Sequence, residues 1–144
     1  MAGQTFRTQR DVISHALQRR AVIESMRSRR FLLDGENPCD ADPILISSAR
    51  HHGIPATYAC PICHIDQLKI LKYTFGSQLG QYSGRIKSTE ELVEMENEYG
   101  EFIVRVVEVC LECGWNHLIE TFRLGDGRYR RPPRRHKTVE DIYG

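Results

Sequence analysis

Nowhere in the 144 residues do apolar side chains run for the roughly 18 positions that a membrane-spanning helix needs. The opening Met1-Ala-Gly-Gln-Thr-Phe-Arg7 lacks the charged-then-apolar order of a secretion leader, so the expected location is cytoplasmic. Gly-x-Ser-x-Gly, His-Glu-x-x-His and a phosphate-cradling glycine loop are all missing, which removes the commonest hydrolase, metalloprotease and nucleotide-binding signatures. No catalytic set emerges, and the chain is expected not to be an enzyme. An even cysteine count is also lacking: the five cysteines argue against a secreted disulfide scaffold.

What is present is average in bulk and uneven in placement. An apolar fraction of 40% and a charged fraction of 27% suit one soluble folded domain, and the length is too short for two ordinary ones. The formal charge of +1 hides three zones. Residues 1–30 carry seven arginines against Asp11 and Glu24, net +5, and residues 31–122 are net −8. Residues 123–137 are net +6. Basic ends around an acidic middle either neutralise each other on folding or present themselves to a polyanion.

The spacing predicts a helix over 9–29, with Thr8 as N-cap and Val12, Ala16, Ile23 and Met26 on one side. Arg19, Arg20 and Arg30 project into the same sector, so this face either snorkels its arginines or meets an acidic surface. A second helix opens at Asp42-Pro43, Asp as N-cap and Pro at the first helical position, and stops at Gly53. Strands are expected at Leu68–Phe75, Phe102–Val109 and Trp115–Phe122, all rich in β-branched and aromatic residues. Residues 76–87 read as a loop, and Ser88-Thr-Glu-Glu91 as a capping box opening an acidic helix to about Glu98. Its glutamates read as a solvated face.

The resulting expectation is an α+β chain: a helical N-terminal part over 1–57, then a three-stranded antiparallel zinc ribbon over 58–125 with a loop-helix insertion at 76–101. Residues 126–144, with Arg128, Arg130, Arg131, Arg134 and Arg135 and two adjacent prolines, read as a disordered basic tail.

The chemistry concentrates in Cys60-Pro-Ile-Cys63 and Cys110-Leu-Glu-Cys113. Each pair sets two thiols on a tight turn, and two such turns supply a closed tetrahedral shell for one zinc ion, with no open position to activate water. Iron would accept the same four ligands, although neither turn has the full Cys-Pro-x-Cys-Gly form. The first pair enters one strand and the second joins two others, so adjacent strand ends bring the turns together. Gly114 supplies the permissive backbone after the last ligand. Lys69, Lys72 and Arg105 are expected to offset the −2 charge of the site, with His64 and His117 as flanking donors. Cys39 has no partner at ligand spacing and reads as a small buried side chain. His51 and His52 end a helix, where a positive charge suits the dipole.

Cys39-Asp-Ala-Asp-Pro43, Arg50-His-His-Gly53, Cys60-Pro-Ile-Cys63, Ser83-Gly-Arg85 and Val106-Val-Glu-Val-Cys110…Cys113-Gly-Trp-Asn-His-Leu118 together resemble a family of small, functionally uncharacterised actinobacterial proteins. The likeness runs from about residue 9 to about residue 125. It implies a bacterial cytoplasmic protein with a zinc ribbon and brings no activity with it.

Two functional expectations follow. One is a non-catalytic module that meets nucleic acid, RNA polymerase or the ribosome through Arg19 and Arg20 and the arginines of the tail. The aromatics interleave poorly with these basic ends, which disfavours base-specific reading. The other is a protein–protein adaptor whose zinc only holds the fold.

Overall fold

A computed structural model describes residues 6–28 and 39–131. Its frame is an antiparallel sheet of β1 (Arg10–Ser14), β2 (Ile54–Pro55), β3 (Leu68–Phe75), β4 (Arg85–Ile86), β5 (Phe102–Cys110) and β6 (Asn116–Leu124). The order is β1-β6-β5-β3-β2, with β4 pairing β3 on the edge that β2 also uses. Three α-helices complete the described residues: α1 (Ala16–Arg27), α2 (Pro43–His52) and α3 (Thr89–Glu98).

This architecture corrects the expected one. The three predicted strands exist as β3, β5 and β6, but they form the middle of a six-stranded sheet rather than a three-stranded ribbon behind N-terminal helices. The N-terminal segment contributes a strand of its own. Residues 10–14 pair with β6, and the helix starts only at Ala16. The physical reasons are partly local and partly distant. Asp11 sits at φ 53°, which a continuing helix forbids, and Val12-Ile13 is a β-branched pair that favours a strand. The open edge of β6 offers backbone partners, and His15 N–H donates to the Ile119 carbonyl at 2.9 Å to end the pairing. The predicted loop 76–87 also contains structure, a 3-10 turn at Ser77–Tyr82 followed by β4.

The strands alternate, so their two faces carry different cores. Phe102 and Val104 on β5, with Phe122 and Leu124 on β6, pack beneath Leu92 and Met95 of α3, and Leu79 and Phe6 close the cluster. On the opposite face Leu71 and Val109 meet Ala49 of α2. The predicted caps of both helices are formed. Asp42 accepts from the Ile44 and Leu45 N–H groups at 2.8 and 3.0 Å, and Ser88 and Glu91 make a reciprocal capping box. Gly53 is required by space rather than by φ: a Cβ there would lie 2.4 Å from the Ala49 carbonyl oxygen.

One glutamate of α3 departs from the expected solvated face. Glu96 is only 2% exposed, and its carboxylate accepts from the Arg7 and Thr8 backbone N–H groups and from the Thr8 hydroxyl. It therefore ties the start of the chain to the helix. Glu96→Ala is expected to lower stability by about 2 kcal/mol, since it strands two part-buried backbone donors. Urea denaturation would read that loss, with Glu96→Gln, which keeps an acceptor, losing less.

Candidate metal centre

β5 ends on Cys110, β6 begins at Asn116, and the turn between them is one of the two cysteine knuckles. Leu68 pairs with Cys110, so the knuckle of residues 60–63, eight residues before Leu68 at its start, is delivered to the same end of the sheet. A backbone bond from Leu111 N–H to the Gln67 carbonyl, 3.0 Å, fastens the two turns to each other.

The knuckles are built alike. Cys60 C=O accepts from His64 N–H at 3.0 Å, and Cys110 C=O accepts from Gly114 N–H at 3.1 Å. Cys60 N–H donates to the Ile65 carbonyl at 3.2 Å, and Cys110 N–H to that of Trp115 at 2.8 Å. The residue after each second cysteine is left-handed: His64 at φ 61° and Gly114 at φ 84°. His64 thus stands at the position where the second knuckle has glycine. At Gly114 the conformation is compounded by crowding, because a Cβ would lie 3.1 Å from the Cys39 carbonyl oxygen.

The four Sγ atoms of Cys60, Cys63, Cys110 and Cys113 all lie within 4.8 Å of one another. Cys60 and Cys113 are 3.7 Å apart, and Cys63 and Cys110 are 3.6 Å apart. A tetrahedral zinc with Zn–S bonds of about 2.3 Å separates its sulfurs by about 3.8 Å. The donor set and its spacing therefore fit one four-thiolate metal ion. Cys60 and Cys110 are buried and Cys63 and Cys113 half-buried, so the pocket has a dry floor and an open rim. Burial pushes the Cys60 thiol up to about 11 and Cys113 well above the ordinary thiol range. At Cys63 burial is outweighed by hydrogen bonds from the Ile65 backbone and the neighbouring thiols, and the value falls. A bound dication favours the thiolate at all four positions.

Around the sulfurs lies a polar network that the sequence reading missed. Glu108 is 0% exposed. Its carboxylate accepts from the Arg19 guanidinium, from Trp115 Nε1–H at 2.9 Å and from the Tyr58 hydroxyl at 2.9 Å. The signal was available: Glu108 shares the parity of Phe102, Val104 and Cys110 on β5, a buried-face position holding a carboxylate. The Arg19 guanidinium also lies 5.8 Å over the Tyr58 ring. Burial, with Glu108 beside it, raises the Tyr58 hydroxyl to about 12. Trp115 is fully buried in a cluster with Ile23, Leu68, Cys60 and Cys110, and His117 stacks on it at 5.7 Å and 7°. Burial lowers the His117 pKa. Asn116 donates to Asp40 at 3.1 Å, so both polar residues after the tryptophan face their own chain.

The remaining candidates are scattered. Arg19 is committed to Glu108, and Arg130 pairs with Asp126 through two bonds of 2.9 and 2.7 Å. Arg20, Arg128 and Arg131 are exposed, while Arg134 and Arg135 lie outside the described residues. So does most of the expected tail. Its first residues are held, Asp126 N–H to the Tyr99 carbonyl and Gly127 N–H to that of Gly100. Arg105 lies over the Phe75 ring at 5.0 Å, at the end of β5 away from the knuckles, and does not serve the sulfurs as expected. His51 and His52 close α2 beside each other. Cys39, expected as a small buried side chain, places its Sγ 3.7 Å from that of Cys113.

An antiparallel sheet that closes one end with two matched C-x-x-C turns defines a chain with a four-thiolate candidate metal centre. The chain belongs to a family of unknown function, DUF5318, whose model matches residues 6–138. It is 40% identical over 122 residues to the uncharacterized proteins Rv0049 of Mycobacterium tuberculosis and Mb0050 of Mycobacterium bovis, spanning 85% of this chain and 88% of each relative. These relatives agree with the actinobacterial resemblance read from the motifs. No solved structure matches the chain. No helix among the described residues is long and apolar enough to cross a membrane.

Proposed function

We propose that the protein is a non-catalytic, cytoplasmic binding module whose fold is clamped by one structural zinc ion. The observation that carries this reading is the sulfur geometry. Four thiols spaced for a tetrahedron would fill every position of such an ion's shell, which would leave none for substrate or water. Zinc rather than iron is favoured because the first knuckle ends on His64 instead of the glycine of the Cys-Pro-x-Cys-Gly turn.

The partner is a protein surface in the reading the structure favours. Val12, Ile13 and Leu17 are 52, 55 and 76% exposed on edge strand β1 and the start of α1. Arg19, meanwhile, is withdrawn from any polyanion by its bond to Glu108. The nucleic-acid reading, with RNA polymerase or the ribosome as its setting, keeps Arg20, Arg128 and Arg131 as its exposed basic groups. A salt series separates the two. Retardation of RNA or DNA at low salt that disappears both at higher salt and in an Arg20→Ala/Arg128→Ala/Arg131→Ala variant would establish a phosphate-binding module. The adaptor reading predicts no retardation at any salt, and protein subunits co-purifying with the wild type but not with Ile13→Asp/Leu17→Asp.

A further inference from the structure

The fifth cysteine has a place at the metal centre that the ligand count does not explain. Cys39 Sγ is directed at Cys113 Sγ at 3.7 Å, the same separation as Cys60 has from Cys113. Yet Cys39 is not one of the four sulfurs that all lie within 4.8 Å of one another. Its backbone is laced to the second knuckle: Ala41 N–H donates to the Gly114 carbonyl at 3.0 Å, and Asn116 holds Asp40. The absence of a side chain at Gly114 admits the Cys39 carbonyl. Three separate contacts thus hold one more thiol against a ligand sulfur. Cys39 and Cys113 are both half-buried, whereas Cys60 and Cys110 are enclosed, so the Cys39–Cys113 pair stands on the rim that a small solute reaches.

We propose that Cys39 is an oxidative modification site: it resolves Cys113 into a disulfide when a hydroperoxide reaches the centre, and so opens the metal shell. This rests on the four-thiolate metal reading above. The chemistry balances in two steps. The Cys113 thiolate attacks one peroxide oxygen, the O–O bond breaks, and Cys113 becomes a sulfenic acid while the other oxygen leaves as hydroxide. The Cys39 sulfur then attacks the Cys113 sulfur, displacing its oxygen, which leaves as water with the Cys39 thiol proton. The hydroxide takes a proton from solvent. With hydrogen peroxide, two sulfurs have lost two electrons in all, one peroxide has become two waters, and the metal departs in its original oxidation state. A disulfide needs the sulfurs to close to about 2.05 Å, a movement along a contact already made. Cys60 is as near to Cys113, but it is itself a ligand on the buried side.

The test treats the reduced, full-length protein with hydrogen peroxide, follows zinc release with a chromogenic chelator, and maps disulfides by peptide mass spectrometry under thiol-trapping conditions. The wild type is expected to release its zinc as a Cys39–Cys113 disulfide forms. Cys39→Ser, which keeps all four ligands, is expected to release zinc on the order of tenfold more slowly and to accumulate higher oxides of Cys113. Equal release rates in the two proteins would overturn the proposal, as would disulfides that map to Cys60–Cys113 or within the knuckles. Protein that binds no zinc would end the metal reading. The mapped disulfide would still decide whether Cys39 and Cys113 are partners, because that measurement needs no metal.

Discussion

The Cys110→Ser variant is expected to lose its metal and several kcal/mol of folding stability. A structural zinc contributes on the order of 10 kcal/mol to small domains that depend on it. This chain also has two apolar cores away from the sulfurs, one under α3 and one under α2, so part of the fold should survive. The loss falls on the sheet end where β5, β6 and the first knuckle meet. Cys110 is buried there among Trp115, Leu68 and Ile23, and serine in its place adds an unliganded hydroxyl to a dry cluster. At roughly 3 °C per kcal/mol for a chain of this size, the melting temperature should fall by well over 10 °C. Differential scanning calorimetry with and without chelator reads the effect: chelator should depress the wild type strongly and the variant hardly at all.

The second large effect is expected at Glu108. Glu108→Ala removes the acceptor of Arg19, Trp115 and Tyr58 together, and leaves a guanidinium, the buried Trp115 indole N–H and the part-buried Tyr58 hydroxyl beside a cavity. Breaking a buried ion pair from one side costs about 3–5 kcal/mol. Arg19→Ala is expected to cost less, because the arginine is a quarter exposed and water can replace part of what it supplies. Tyr58→Phe removes one hydrogen bond and should cost about 1 kcal/mol. The order Glu108→Ala, Arg19→Ala, Tyr58→Phe in chemical denaturation is the prediction, and Trp115 fluorescence should report the first directly. An equal loss in all three would mean that the residues act singly rather than through the carboxylate.

The site was legible because its chemistry is written in local spacing. Two residues between cysteines put both thiols on one turn whatever surrounds them, and the β-branched runs after and before the turns showed that both lie at strand ends. Capping signals at Asp42 and Ser88 are equally local, and both caps form where the sequence places them. The frame of the fold was not legible in the same way. Residues 9–29 have helical spacing, and nothing within them announces that the free edge of β6, more than a hundred residues further on, will draw Arg10–Ser14 into a strand. The same distance hides Glu96. Its neighbours make it one of a row of acidic residues on a helix, and only the returning Arg7-Thr8 backbone gives its carboxylate two donors. Cys39 escapes for this reason too. Ligand spacing has meaning within a turn, whereas Cys39 reaches Cys113 through Ala41 and Gly114, a contact between distant segments. Arg19 lies between these cases: a ragged helical face suggested an acidic counterpart in the same chain, and Glu108 is that counterpart.

Protein purified without metal supplementation, kept reduced and measured by inductively coupled plasma mass spectrometry, gives the sharpest answer. One zinc per chain, lost in Cys110→Ser and retained in Cys39→Ser, is the outcome expected from the four gathered sulfurs. A wild-type chain that folds fully with neither zinc nor iron in proportion would contradict the account at its root.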